Sequence, residues 1–284
     1  FKKAASWTGF ALAANKGNIA VLGGGMSFAK GNNTEYFDIF DKITPSSNVK
    51  ALDAIPANAT FAYGIAVKDF KDYDREYTDW IDYKGRFKQL SDARNAFKSN
   101  VGRDYSFVAD ALGLNEVAYA QTASAKVIVY PVGKADSKLL NQNPIKEGEI
   151  YSFPLAHIGR CVFGRGFNLA PRPNEKVISA GETHFAYIHG CLIVSDQKNL
   201  TSYLSALKDN GSLAGNLAAA SDMHNLHYWA YRSPKAVESV VIYDTKTGDN
   251  LVGQYTNTAN QPVQNKPLRK KKTDQGKVEV GKGP

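Results

Sequence analysis

The aromatic residues Tyr73, Tyr77 and Trp80 recur at steps of four and three, a spacing that stacks them on one face of a helix. If that face were open, the rings would form a platform for a sugar or similar ligand. Around them run Asp69, Asp72, Asp74, Glu76, Asp79 and Asp82, interleaved with Lys and Arg. A glycosidase needs two carboxylates facing each other across a cleft, and a single interleaved run does not supply that. The carboxylates therefore read first as the solvated face of a helix and the aromatics as its buried face. The alternative is a carbohydrate-active or hydrolytic enzyme that uses Tyr73, Tyr77 and Trp80 for binding. DFKDYDREYTD also lacks the turn glycine and the closing Glu of a calcium loop.

Other reactive side chains give weaker patterns. The five histidines are His157, His184, His189, His224 and His227. None belongs to an HExxH or carboxylate–His motif, so no metal site is expected. His184 and His189 stand at the two ends of an extended run, and His189 with Gly190 reads as a turn. No GxSxG or SxxK nucleophile motif occurs. Ser195 and Asp196 are tempting, but Asp196 sits where a helix cap belongs. Gly23, Gly24 and Gly25 complete neither GxGxxG nor a Walker pattern and read as a turn or bulge. No catalytic residue and no cofactor are expected. Cys161 and Cys191 both lie in apolar, strand-like sequence. They can form a disulfide if those strands are neighbours in an oxidising compartment, or remain small core residues.

The elements that must position these residues can be read in outline. A chain of 284 residues with 43% hydrophobic and 22% charged residues is globular in composition and can bury a sizeable core. No run approaches the roughly 18 consecutive apolar residues of a membrane helix. Phe1 suggests a processed or trimmed start, which leaves export or a lipid anchor upstream open. The net charge is +8. Seven Lys/Arg against two acids in 266–284 leave +5 there and +3 on the rest. The basicity thus belongs mostly to a segment expected to be a flexible tail or linker, with a polyanion-binding arm as the alternative. Nucleic-acid binding is not expected, because acids cancel the basic charge of the aromatic-rich stretch 63–87.

Residues 182–215, ETHFAYIHGCLIVSDQKNLTSYLSALKDNGSLAG, write the clearest unit. Apolar runs at 184–188 and 191–194 flank His189 and Gly190. Asp196 then caps a helix whose Leu200, Tyr203, Leu204 and Leu207 share a face, and Asn210 with Gly211 closes it. Strands are expected around 7–12, 19–22, 60–67, 116–120, 126–132, 149–155, 226–231, 237–243 and 251–256. Helices are expected at 35–43, from Lys68 onward with a break or bend at Lys84 and Gly85, at 90–97 and 105–112, and through Leu213, Leu217 and Ala220. The run 158–167, IGRCVFGRGF, reads as extended and close to other backbone. Residues 170–175 form a plausible internal boundary.

Two stretches resemble a known family. FAYIHGCLIVSDQKNLTSYLSALKDNGSLAGN (185–216) and LDAIPANATFAYGIAV (52–67) are similar to phrases in an uncharacterised family of exported bacterial envelope proteins, often lipoproteins. There a strand, a turn, an LIVSS run, a helix and SLA recur. The resemblance implies a periplasmic or outer-membrane-associated location and a further domain beyond the basic segment. It brings no catalytic residues, and the tandem copies usual in that family are not apparent here.

The expected fold is α+β, a mostly antiparallel sheet with long amphipathic helices packed on it. Three regions are expected: 1–170, 171–258 (separate from the first or continuous with it) and the basic 259–284. The expected role is a non-enzymatic scaffold or binding subunit of the bacterial envelope, working through protein contacts.

Overall fold

The structure, a computed structural model, describes residues 7–15, 18–26, 36–133, 139–140, 144–153, 158–163, 183–216, 226–233, 240–243, 250–253, 269–272 and 278–281. The chain divides into two compact units, residues 1–230 and 231–284.

In the first unit β1 (Trp7–Asn15) and β2 (Asn18–Met26) pair as an antiparallel hairpin. Gly23, Gly24 and Gly25 lie inside β2, opposite Phe10, Gly9 and Thr8, rather than in a turn. Ladder hydrogen bonds come from the backbone and need no side chain.

The body of the unit is a seven-stranded sheet. It is built from β3 (Phe61–Ala66), β4 (Glu116–Gln121), β5 (Lys126–Pro131), β6 (Ile150–Ser152), β7 (His184–Ile188), β8 (Cys191–Ser195) and β9 (Tyr228–Arg232). Their order is β6-β7-β8-β5-β4-β3-β9, and the ladders from β6 through to β3 are all antiparallel. The fold is therefore α+β. The 182–215 unit shares this one sheet with β3, β4 and β5. Its β7–β8 turn has φ 49° at His189 and 75° at Gly190, the pair of left-handed residues that a two-residue hairpin turn requires.

Alternation along the strands sends apolar side chains to both faces. Ile65, Val117, Tyr119, Ile128, Tyr130, Phe185, Leu192 and Val194 form one buried surface. It is covered by a 3-10 helix (Tyr36–Lys42), α1 (Phe70–Tyr83), α2 (Phe87–Val101), α3 (Tyr105–Leu112) and α4 (Ile158–Val162). Ala118, Val127, Val129, Cys191 and Ile193 line the other face. Against it pack a 3-10 helix (Ala51–Ala54), α5 (Gln197–Asn210) and α6 (Leu213–Asn216). The result is a three-layer arrangement with the sheet buried on both sides.

Local chemistry explains the boundaries. Asp69 caps α1 by accepting from Lys71 N at 2.8 Å, and Asp196 caps α5 by accepting from Asn199 N at 2.8 Å. Gly85, at φ 65°, adopts the left-handed conformation that breaks the aromatic-rich tract between α1 and α2. The run 158–167 departs from its extended expectation, because 158–162 is helical. Ile158, Cys161 and Val162 stand three and four apart, and all are buried, so helical spacing outweighs the apparent alternation.

In the second unit β10 (Val240–Tyr243), β11 (Asn250–Gly253), β12 (Arg269–Lys272) and β13 (Val278–Gly281) form a four-stranded sheet, order β10-β11-β13-β12. The segment expected as a basic tail thus holds two paired strands. The 170–175 boundary and residues Leu217 and Ala220 lie outside the described residues.

Candidate functional site

The aromatic stripe of α1 faces inward. Tyr73 is fully buried and Tyr77 nearly so, their rings stacked with centroids 5.7 Å apart and 8° between planes. Phe40 and Phe163 pack on Tyr73 at 6.0 and 5.5 Å. The Tyr73 hydroxyl donates to the Phe163 carbonyl at 3.3 Å and lies 2.9 Å from the Tyr36 hydroxyl. Burial raises both phenols well above the ordinary tyrosine range. Trp80 is half-buried at the outer end, against Tyr36 and Tyr77. The three residues read as a binding stripe therefore join one cluster, but Tyr73 and Tyr77 present no open platform. The helix turns them toward the sheet because that face carries α1's buried residues.

Beside the stripe, Arg94 ties the helical layer together. Its Nη2 donates to Asp74 Oδ1 at 2.6 Å and to Thr78 Oγ1 at 3.1 Å, and its Nε donates to the Cys161 carbonyl at 3.3 Å. The Tyr105 hydroxyl donates to Asp74 Oδ2 at 2.9 Å, and the Arg94 guanidinium lies 4.3 Å from the Tyr105 ring centroid. Four helices, α1 to α4, thus meet at one charged pair. Burial lifts the Asp74 carboxyl above its ordinary range, opposed by Arg94 and Tyr105. The arrangement spends these hydrogen bonds on groups of the four helices themselves, which suits a joint between helices.

A second buried carboxylate lies on the opposite face. Glu116, at the start of β4 and 4% exposed, accepts from Lys50 N at 2.9 Å and Ala51 N at 3.0 Å. It satisfies backbone donors at the start of the Ala51–Ala54 helix. Burial pushes its carboxyl up to about 7, against the lowering effect of those two hydrogen bonds. Cys191 lies close by, its Sγ 4.0 Å from the Lys50 carbonyl. Burial, then the negative charge of Glu116, raise that thiol far above its ordinary value. Cys191 and Cys161 are both buried, and no disulfide joins them in this structure. They stand on opposite faces, Cys161 among the helices over one side and Cys191 facing the Ala51–Ala54 helix on the other.

His189, in its turn, brings Nδ1 within 2.9 Å of the Asp53 carbonyl, and its backbone N donates to Glu147 Oε1 at 2.7 Å. His227 donates from Nε2 to the Ile43 carbonyl at 2.8 Å. His157 and His224 lie outside the described residues. Among the described residues no group of three His, Cys, Asp or Glu is placed to hold a metal ion, and no helix is long and apolar enough to cross a membrane.

What faces solvent is different in kind. The exposed large hydrophobic side chains among the described residues are Tyr83 at 58%, Phe87 at 44% and Phe107 at 52%. All three belong to the helical layer, and each stands beside a cation. Lys84 Nζ lies 5.4 Å from the Tyr83 ring centroid and the Arg103 guanidinium 5.2 Å from that of Phe107, while Phe87 falls between Arg86 and Lys88 in sequence. Sequence reasoning passed over Tyr83 and Phe107. The αL break at Gly85 ends the register of α1, so Phe87 starts a new helix with a new phase. No family model matches this chain, and no curated protein or solved structure is similar enough to count as a match.

Proposed function

We propose that this chain is a non-enzymatic scaffold or binding subunit of the bacterial cell envelope that works through protein contacts made by its helical layer. One observation carries the reading. The large aromatic side chains exposed among the described residues are on α1, α2 and α3; Tyr83 and Phe107 each have a cation over the ring, and Phe87 stands between two basic residues in sequence. Aromatic rings with a cation beside them are the side-chain types that dominate protein contact energies. The inward burial of Tyr73 and Tyr77 removes two of the three rings from the platform that the carbohydrate-active alternative needs. The envelope location is supported by the resemblance of 52–67 and 185–216 to exported envelope proteins.

Phe107 is the residue to test. Natively expressed chain, crosslinked in intact cells and purified from the envelope fraction, should bring down a defined partner in stoichiometric amount. Phe107→Glu should lose it while melting at the wild-type temperature, because the ring is half-exposed. Equal recovery by wild type and variant would remove the helical layer from the contact, and recovery of no partner by either would remove the scaffold reading.

A further inference from the structure

The corner between α1 and α2 points to a partner that is not a protein. Residues 82–89, DYKGRFKQ, are exposed without interruption, between buried Ile81 and buried Leu90. A Cβ added at Gly85 would meet no atom within 4 Å, so the corner stands clear of its surroundings. Within it Tyr83 and Phe87 bracket Lys84 and Arg86, and Lys88 follows. Three cations against Asp82 give the corner a charge of +2. At its base Lys84 Nζ sits 5.9 Å from the Trp80 ring centroid, and Trp80 packs on the buried Tyr77. We propose that this corner docks on an anionic lipid bilayer surface, its two rings entering the headgroup region and Lys84, Arg86 and Lys88 meeting lipid phosphates.

Size and shape favour a bilayer over a protein. A projecting tip of eight residues offers far less than the roughly 1,000 Å² that a specific protein interface buries. A plane of headgroups needs no complementary pocket. Aromatic rings settle at the membrane–water boundary, and basic side chains keep their charge in the headgroup layer while their stems follow apolar surface. Each Lys or Arg near an anionic leaflet multiplies partitioning by about fivefold, so three cations with one opposing Asp give roughly 25-fold. Such a contact is weak and salt-sensitive. It orients a protein already held near the membrane instead of anchoring it. This inference goes beyond the protein-contact reading: it assigns Tyr83 and Phe87 to the membrane and leaves Phe107 to the protein contact, and vesicles contain no protein partner, so the two are tested separately.

The assay is co-sedimentation of the full chain with vesicles of phosphatidylcholine alone or with one-third phosphatidylglycerol, at low and high salt. Wild type should prefer the anionic vesicles by at least tenfold and lose that preference in high salt. K84E/R86E/K88E should abolish the preference, Y83A/F87A should weaken binding about tenfold, and Phe107→Glu should leave it unchanged. The other basic run is the control: R269Q/K270Q/K271Q/K272Q must leave a component that the corner variants still remove. Loss of all binding in that control, with full binding by K84E/R86E/K88E, would overturn the proposal. So would absence of any anionic preference, or capture by polyglutamate beads without vesicle binding, which would assign the corner to an acidic protein surface. All the substituted corner side chains are exposed, and thermal melts would confirm folding.

Discussion

Glu116 gives the sharpest test of how this fold is held. Its carboxyl titrates at about 7 in the folded chain against an ordinary value of 4.5, so the folded state holds that proton more tightly than the unfolded chain. The sign follows directly. The stabilising contribution is complete below pH 4.5, is lost as pH rises through 7 and is absent above that. The interval spans 2.5 units, and at 1.36 kcal/mol per unit it amounts to about 3 kcal/mol. Glu116→Gln removes the titration and keeps the shape. Its NH2 replaces one of the two accepting oxygens and so meets Lys50 N or Ala51 N donor to donor, and the variant should be less stable than wild type by roughly 1–2 kcal/mol at pH 4. Urea unfolding of both proteins from pH 4 to 8 measures the gap between them. It should shrink by about 3 kcal/mol and change sign near neutrality, because every other titrating group is common to both. A gap that stays constant or widens with pH would refute the assignment of the strained charge to Glu116.

Other expectations follow from the same structure. Gly64→Ala would place a Cβ 2.6 Å from Cε2 of the buried Trp229 indole, and the overpacking should cost about 1–3 kcal/mol in denaturant unfolding. Arg94→Met should cost about 3–5 kcal/mol, because it leaves the Asp74 carboxyl among four helices without its cation, whereas Tyr105→Phe should cost about 1 kcal/mol. A thiol reagent should find no reactive cysteine in the native chain and two after unfolding, with the melting temperature unchanged by reductant, since Cys161 and Cys191 are buried and free.

The 182–215 unit was legible because everything that fixes it is local. A two-residue turn, a cap and a helical stripe all lie within one short stretch, and the structure places β7, β8 and α5 there. The stripe of α1 was legible for the same reason, down to the break at Gly85. The tertiary chemistry was not. Nothing near Glu116 in sequence marks it as buried, because its partners Lys50 and Ala51 arrive from another segment. Asp74 looked like one acid among many on a charged face until Arg94 and Tyr105 came to it from α2 and α3. Gly64 showed no special backbone demand, and its necessity comes from the indole of a distant strand. Cys161 was misread as a strand residue, because a short helix with apolar positions three and four apart also contains the small residues of an extended run.

The strand order has a consequence for how the sheet comes together. β3 joins β4 across 49 residues, but β4–β5 and β7–β8 are hairpins closed by loops of four and two residues. The two are joined along the β5–β8 ladder, where Ile128 meets Val194 and Tyr130 meets Leu192. Each hairpin closes through a far shorter loop than the 59 residues between β5 and β8, and loop-closure entropy disfavours the longer pairing. β5 and β8 are thus the mating edges of two locally closed hairpins, and their ladder carries a long-range part of the sheet's pairing.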